Sequence, residues 1–275
     1  MNKTKIPWCD WTWNPITGCS AASEGCLNCY ARQMSERFGW QWGEAMFHTG
    51  RLSELKQAKP GDLVFVSSMG DFFHETVHSS WQDCVMHEVK NHPELTFLFL
   101  TKRASRMRDY FVSYVAGDPC VKRPPQVMPQ NVWLGVTAEN QVRAYERVPI
   151  LLGIPDVAVR FVSIEPMLQE VRLNPRLDWV IAGPENGPQS RRFDPWWIES
   201  LLADCKAEGI PFFDKRNDPD VVRQFPGPHR FAYQNCCHYE QGACDHPQHR
   251  DLGDCVECPL FQKLAGEELE DLDDE

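Results

Sequence analysis

An α/β fold of successive strand–helix units is predicted for the 275 residues by three features of the sequence. Short apolar runs bounded by turn residues alternate with helix-length segments of mixed polarity. The alternation recurs six or seven times, more than a small sheet needs. Polar residues then gather just after the apolar runs, where parallel sheets carry their chemistry. The expected architecture is a partial (β/α) barrel of six or seven parallel strands with a small cysteine-rich C-terminal appendage, and a doubly wound open sheet is the alternative.

The strands are placed at 12–16, 62–67, 95–100, 132–136, 159–163, 179–182 and 211–213, where runs such as "LTFLFL" and "VRFVSI" are apolar and β-branched or aromatic. Helices are placed between them at 28–38, 80–91, 103–115, 139–152 and 195–208. Ser79, Thr137 and Asp194 stand before helices as candidate N-caps, each worth about 1 kcal/mol. The proline-rich stretch "GDPCVKRPPQVMPQ", 117–130, reads as an exposed excursion. From about Asn217 proline, histidine and cysteine dominate without periodicity. The domains are therefore drawn as a barrel at 1–216, a metal-stapled appendage at 217–262 and an acidic tail at 263–275.

The formal charge of −11 is concentrated in that tail, since the last nine residues hold seven of the 39 carboxylates. The rest carries 28 cations against 32 anions, which leaves room for a local basic surface. "MNKTKIPWCDW" is not a signal peptide and "LTFLFL" is far too short to span a bilayer, so no membrane contact and a cytoplasmic location are expected. Twelve cysteines in a reducing compartment point to metal or redox chemistry rather than disulfides.

Four of the cysteines lie within 9–29 and five within 236–258. In "GCSAASEGCLNC" Cys19, Cys26 and Cys29 form a possible thiolate tripod after the first strand. With Cys9 the set would be a closed zinc site or a fully ligated cluster. Without it, three thiolates would hold a 4Fe-4S cube with one iron open. Cys9 precedes the predicted strand and the tripod follows it, a separation of over about 15 Å that favours the open cluster. In the appendage Cys244, Cys255 and Cys258, with Cys237 or Cys236, form a second metal site; either zinc or a second 4Fe-4S cluster fits.

The strand exits place Lys102, Arg103, Glu139, Glu165, Glu185, Arg191, Arg192, Lys215 and Arg216 on one rim. Helix caps do not account for so many charges, and Lys102, Arg103, Arg191, Arg192, Lys215 and Arg216 are the expected contacts to a phosphate-bearing substrate. Phe72, Phe73, Trp196 and Trp197 are candidates for stacking a base or, more simply, for the core.

"WTWNPITGCSAASEGCLNCYA", "SSMGDFFHE", "LTKRASRM", "NVWLGVTAENQ", "VRFVSIEPML" and "LDWVIAGPENG" occur in that order over residues 8 to about 216. Together they resemble a phage-encoded three-cysteine family of uncharacterised proteins grouped with the radical S-adenosylmethionine (SAM) enzymes. The resemblance implies a 4Fe-4S cluster on Cys19, Cys26 and Cys29 whose open iron chelates SAM, and a deoxyadenosyl radical that abstracts hydrogen. It further implies that Ser68, Met69, Gly70 and Asp71 face the methionine ammonium and that Glu139 and Asn140 face the ribose. Glu165 and the "GPENG" loop would position adenine or substrate. The expected substrate is a nucleic-acid base or modified nucleotide, with isomerase or lyase chemistry on a hypermodified pyrimidine of phage DNA. A one-electron donor such as flavodoxin or ferredoxin is implied, in the host cytoplasm if the chain is phage-encoded. The competing class is a non-enzymatic module, stabilised by zinc or a cluster, that binds nucleic acid or protein.

Overall fold

The structure, a computed structural model, describes residues 1–173 and 176–226 and the backbone of two short strands at 239–240 and 243–244. Two compact units divide it, Met1–Gln224 and Phe225–Glu275.

In the first unit the strands are β1 (Asn2–Lys3), β2 (Trp11–Trp13), β3 (Ile16–Thr17), β4 (Met46–Phe47), β5 (Leu63–Val66), β6 (Thr96–Thr101), β7 (Val132–Thr137), β8 (Val159–Ile164), β9 (Trp179–Ala182) and β10 (Phe212–Asp214). The α-helices are α1 (Tyr30–Phe38), α2 (Ser79–Asn91), α3 (Ala104–Ala116), α4 (Gln141–Leu152) and α5 (Pro195–Ala207), joined by a 3-10 helix at Thr49–Gln57. In the second unit β11 (Tyr239–Glu240) pairs antiparallel with β12 (Ala243–Cys244).

One eight-stranded sheet runs β1-β2-β5-β6-β7-β8-β9-β10. The seven strands from β2 onward lie in chain order and are mutually parallel, while β1 is antiparallel on the edge. Strand order never reverses, so there is no switch point of the doubly wound kind.

Strand residues alternate between two buried layers, as the pleat requires. Val64, Val66, Phe97, Phe99, Leu134, Val162, Val180 and Phe212 share one cluster with Val85, Met107, Phe111, Val148, Leu151, Ile198 and Leu201 from α2 to α5. These helices therefore cover one face. Phe65, Trp133, Phe161, Trp179 and Phe213 occupy the opposite face, where the indole of Trp8 lies 4.8 Å from the Phe65 ring and 6.5 Å from that of Trp179. Phe161 and Trp179 are 5.7 Å apart, and Trp133 and Phe213 meet Trp179 at 6.0 and 6.2 Å. Gly135 of β7 makes room for this layer, since a Cβ there would lie 2.4 Å from the Phe161 ring.

The expected first strand, 12–16, is broken at Asn14-Pro15, where the missing proline N–H ends the ladder. Its second half becomes β3 and pairs with β4 instead. Asp194 caps α5 as expected, accepting from Trp196 N at 3.1 Å. Ser79 and Thr137 cap no helix: α2 is preceded by His78, and α4 is capped by Asn140, which accepts from Arg143 N at 2.9 Å. Beyond β10 the chain pairs back on it, Gln224 N donating to Phe212 O at 2.8 Å and Asp214 N to Val222 O at 2.8 Å. This carries the first unit to Gln224 rather than to residue 216.

Candidate functional site

The segment 18–29 leaves β3, bears Cys19, Cys26 and Cys29, and runs into α1. Its start is fixed backbone to backbone. Gly18, at φ +87, donates to the Met69 carbonyl at 3.1 Å and bridges Gly70, where a Cβ would lie 2.9 Å from Gly18 O. Asn14 holds the other side of that loop, its Oδ1 accepting from Met69 N at 2.8 Å and Ser68 Oγ at 3.2 Å. The Ser68 carbonyl accepts the Tyr30 hydroxyl at 2.6 Å. Ser67, just before it, has φ 58, a left-handed conformation that costs a serine of order 1–3 kcal/mol.

The β6 end adds Arg103, which is buried. It donates to Glu75 at 2.8 and 3.0 Å, to Asp71 at 3.0 Å, to Ser20 O and Oγ at 3.1 and 2.9 Å, and to Cys19 Sγ at 3.5 Å. Thr101 Oγ1 donates to both Asp71 oxygens at 2.8 and 2.9 Å. His74 Nε2 meets Ser20 Oγ at 2.8 Å.

The β7 end adds Glu139, fully buried at 0% exposure. Its carboxylate pairs with Arg147 Nη1 at 2.9 Å and accepts from Ser23 Oγ and, at 3.3 Å, from Gly25 N. A Cβ on Gly25 would lie 2.9 Å from that carboxylate, so the loop rests directly on it. Asn140 Nδ2 donates to Glu24, which also pairs with Arg143 at 2.9 Å. The β9 end adds Glu185, which accepts from Asn28 Nδ2 at 3.0 Å and pairs with Arg191; Arg191 Nη1 in turn donates to Glu24 O at 2.8 Å.

These contacts set the protonation of the loop. Burial, then the Asp71 charge, pushes the Cys19 thiol up to about 12, against the opposing pull of Arg103. The hydrogen bond from Arg143 draws Glu24 down to about 2, and that from Arg191 does the same for Glu185. Burial raises the Tyr30 hydroxyl, as do Cys29, Glu165 and Cys9 nearby.

The charges at the strand exits are thus in large part spent on the cysteine loop rather than presented to a ligand. Glu139 and Asn140, expected at a ribose, are buried under the loop or used as a helix cap. A buried carboxylate holds its charge only with partners, and Arg147, Ser23 and Gly25 are those partners. Asp71 is buried and saturated by Thr101, Phe73 N and Arg103. The carbonyls of Ser68 and Met69 are engaged, and Gly70 is the point of backbone contact. Arg103 is a loop clamp rather than a free substrate contact, because its side chain donates to six acceptor atoms of the fold itself, on Glu75, Asp71, Ser20 and Cys19. Arg191 pairs with Glu185, Lys215 with Glu165, and Arg216 with Asp214 at 2.7 Å. Lys102 and Arg192 make no ion pair among the described residues, and Arg192 is exposed. Phe72 and Phe73 are core, whereas Trp196 is 61% exposed.

Sequence reasoning missed Asn14, Ser20, Ser23, Glu75 and Arg147. Arg147 had a signal: it shares the buried side of its helix with Ala144, Val148 and Leu151, so a charge there requires a buried partner. The others lie in turns, where polarity is unremarked.

Cys19, Cys26 and Cys29 are half-buried and share this loop, and Ala22 N donates to Cys26 Sγ at 3.4 Å. Cys9 is 5% exposed, ahead of β2. Among the described residues no three His, Cys, Asp or Glu side chains are drawn close enough to hold a metal. The donor set nevertheless fits an iron-sulfur cluster in kind: three thiols from one loop, with N–H donors aimed at two of the sulfurs. Cys236, Cys237, Cys255 and Cys258 lie outside the described residues, and of Cys244 only the strand is described.

The fold and site together define an α/β protein whose mostly parallel sheet presents a thiol-bearing loop at the C-terminal ends of its strands. A family profile, protein of unknown function (DUF5131), matches residues 3–224, so the chain belongs to that family. The matched span ends where the first compact unit ends. No curated protein and no solved structure matches the chain. Among the described residues no helix is long and apolar enough to cross a membrane.

Proposed function

We propose that the chain is a radical SAM enzyme acting on a nucleic-acid base or modified nucleotide. The supporting observation is that the ends of β5, β6, β7 and β9 all spend hydrogen bonds, several of them buried and charged, on positioning one three-cysteine loop. A 4Fe-4S cluster on Cys19, Cys26 and Cys29, with SAM on its open iron, would supply a deoxyadenosyl radical for hydrogen abstraction.

The protein's own residues orient that chemistry. Arg103 and Ala22 N donate to Cys19 and Cys26 sulfur, bonds that favour thiolate and tune a cluster's potential. Glu139 and Arg147 hold the loop at mid-length. Glu165, Lys215 and Asn186 stand at the β8 and β9 exits. Lys102 and Arg192 are left to meet phosphates, and Trp196 offers an exposed face for stacking. The reaction is isomerisation or bond cleavage on a hypermodified pyrimidine in phage DNA, in the host cytoplasm, with a flavodoxin- or ferredoxin-like electron donor. The C-terminal cysteines hold zinc or a second cluster.

The sheet belongs to this reading as a partial barrel. In a flat sheet β5 and β9, four strands apart, would hold Phe65 and Trp179 about 19 Å from each other. The indole of Trp8 meets both, which supports an aromatic face that curls inward.

Anaerobic iron–sulfide reconstitution followed by a 5′-deoxyadenosine assay tests the function. The reading expects brown protein that cleaves SAM when reduced, loss of cleavage in Cys26→Ala and retention in Cys9→Ala. Colourless, zinc-loaded protein inert toward SAM would replace it with the non-enzymatic module, in which the buried clamps serve stability alone. Iron without cleavage would indicate a saturated cluster.

A further inference from the structure

We infer that a second binding site, for a nucleotide, lies beside the N-terminal strands. An open cavity of about 530 Å³ is bordered there by β1, β3, β4, the end of α1 and the 3-10 helix. Its volume falls in the range of small-ligand pockets.

Three observations on its walls specify the occupant. Asn14, which lines the cavity and is 9% exposed, spends Oδ1 on the Met69 amide and the Ser68 hydroxyl, while its Nδ2 has no hydrogen-bond partner among the described residues. Arg51 gives one Nη1 hydrogen bond to Asn14 O at 2.9 Å and pairs with no carboxylate among the described residues. The wall's own carboxylate, Glu54, is taken by the Met1 ammonium. Trp40 forms another wall, 53% exposed and stacked at 5.1 Å on Phe38.

A half-buried guanidinium without a counter-ion calls for an anion, a free amide donor for an acceptor, and an exposed indole for a flat π-system. A nucleotide combines all three: base against Trp40, phosphate at Arg51, and base or sugar acceptors toward Asn14 and the exposed amide of Gln57. None of the three loop cysteines lines the cavity, so the site stands whether or not the loop holds a cluster. Gly18 and Met69 do line it, which places an occupant against the residue preceding Cys19.

Calorimetric titration of the full chain with nucleoside 5′-monophosphates, the matching nucleosides and inorganic phosphate tests the site. Saturable monophosphate binding is expected, about tenfold tighter than the nucleoside, one tenfold step being about 1.4 kcal/mol. Arg51→Gln should abolish that preference. Trp40→Ala, a change at an exposed side chain that leaves the fold intact, should weaken both ligands about tenfold. Absence of saturable monophosphate binding overturns the inference. So does binding unchanged in both variants, or inorganic phosphate binding as tightly as the nucleotide with no effect of Trp40→Ala.

Discussion

Arg147 and Glu139 form the most deeply buried ion pair in the first unit, with side-chain exposures of 2% and 0%. Burying two charges is expensive, and Ser23, Gly25 and Thr137 O offset part of that cost with further hydrogen bonds, while Arg147 Nε is left buried without a partner among the described residues. Arg147→Met strands the carboxylate, and a loss of about 3–5 kcal/mol in urea unfolding is the expected result. A smaller effect would mean that water or a rearranged donor replaces the guanidinium at little cost. Glu185 behaves differently because its partner Arg191 is partly exposed. Its folded pKa is depressed to about 2, so its contribution is complete above the ordinary carboxylate value and disappears as pH falls through about 2. The stability gap between the native protein and Glu185→Gln should therefore be flat near neutrality and narrow below pH ~4.5. A gap that widens on acidification would reverse the assignment.

At the scale of elements, the cysteine loop is held by polar contacts and the sheet by apolar ones. The loop contains one 3-10 turn, Glu24–Cys26, and no longer helix or strand, so its conformation depends on the strand ends around it. The strands depend on interlocking aromatics. Gly135→Ala tests this, because a methyl group 2.4 Å from the Phe161 ring must displace the ring from Trp179. Overpacking of this kind costs about 1–3 kcal/mol, and a lower thermal midpoint is expected together with altered near-ultraviolet dichroism from the tryptophans. An unchanged spectrum would show the aromatic face to be loosely packed.

For the molecule as a whole, the compact unit and the family match both end at Gln224. The strip 222–224 pairs with β10, and Trp179 Nε1 donates to Gln224 O at 2.8 Å, so a cut at residue 216 would remove part of the fold. A chain ending at Gln224 should unfold in one cooperative urea transition, whereas one ending at Arg216 should have a lower midpoint. Equal midpoints would show that the returning strip contributes nothing.

The alternation of apolar runs and helical segments was enough to determine an α/β chain with six or seven strand–helix units, because side-chain periodicity is local and each strand's pleat is written in consecutive residues. The cysteine spacing likewise marked the loop that the fold singles out. Which polar residues serve the loop and which remain for a ligand was decided by tertiary structure alone. Glu139 and Arg103 look like rim charges in sequence, yet Arg147, eight residues on, and Asp71, thirty-two residues back, convert them into buried clamps. The break at Asn14-Pro15 and the cavity beside it have the same origin, since the partners that define them come from β4, the 3-10 helix and α1. A charge's role follows from its dielectric surroundings and its partners in space, and neither is encoded at its own position in the chain.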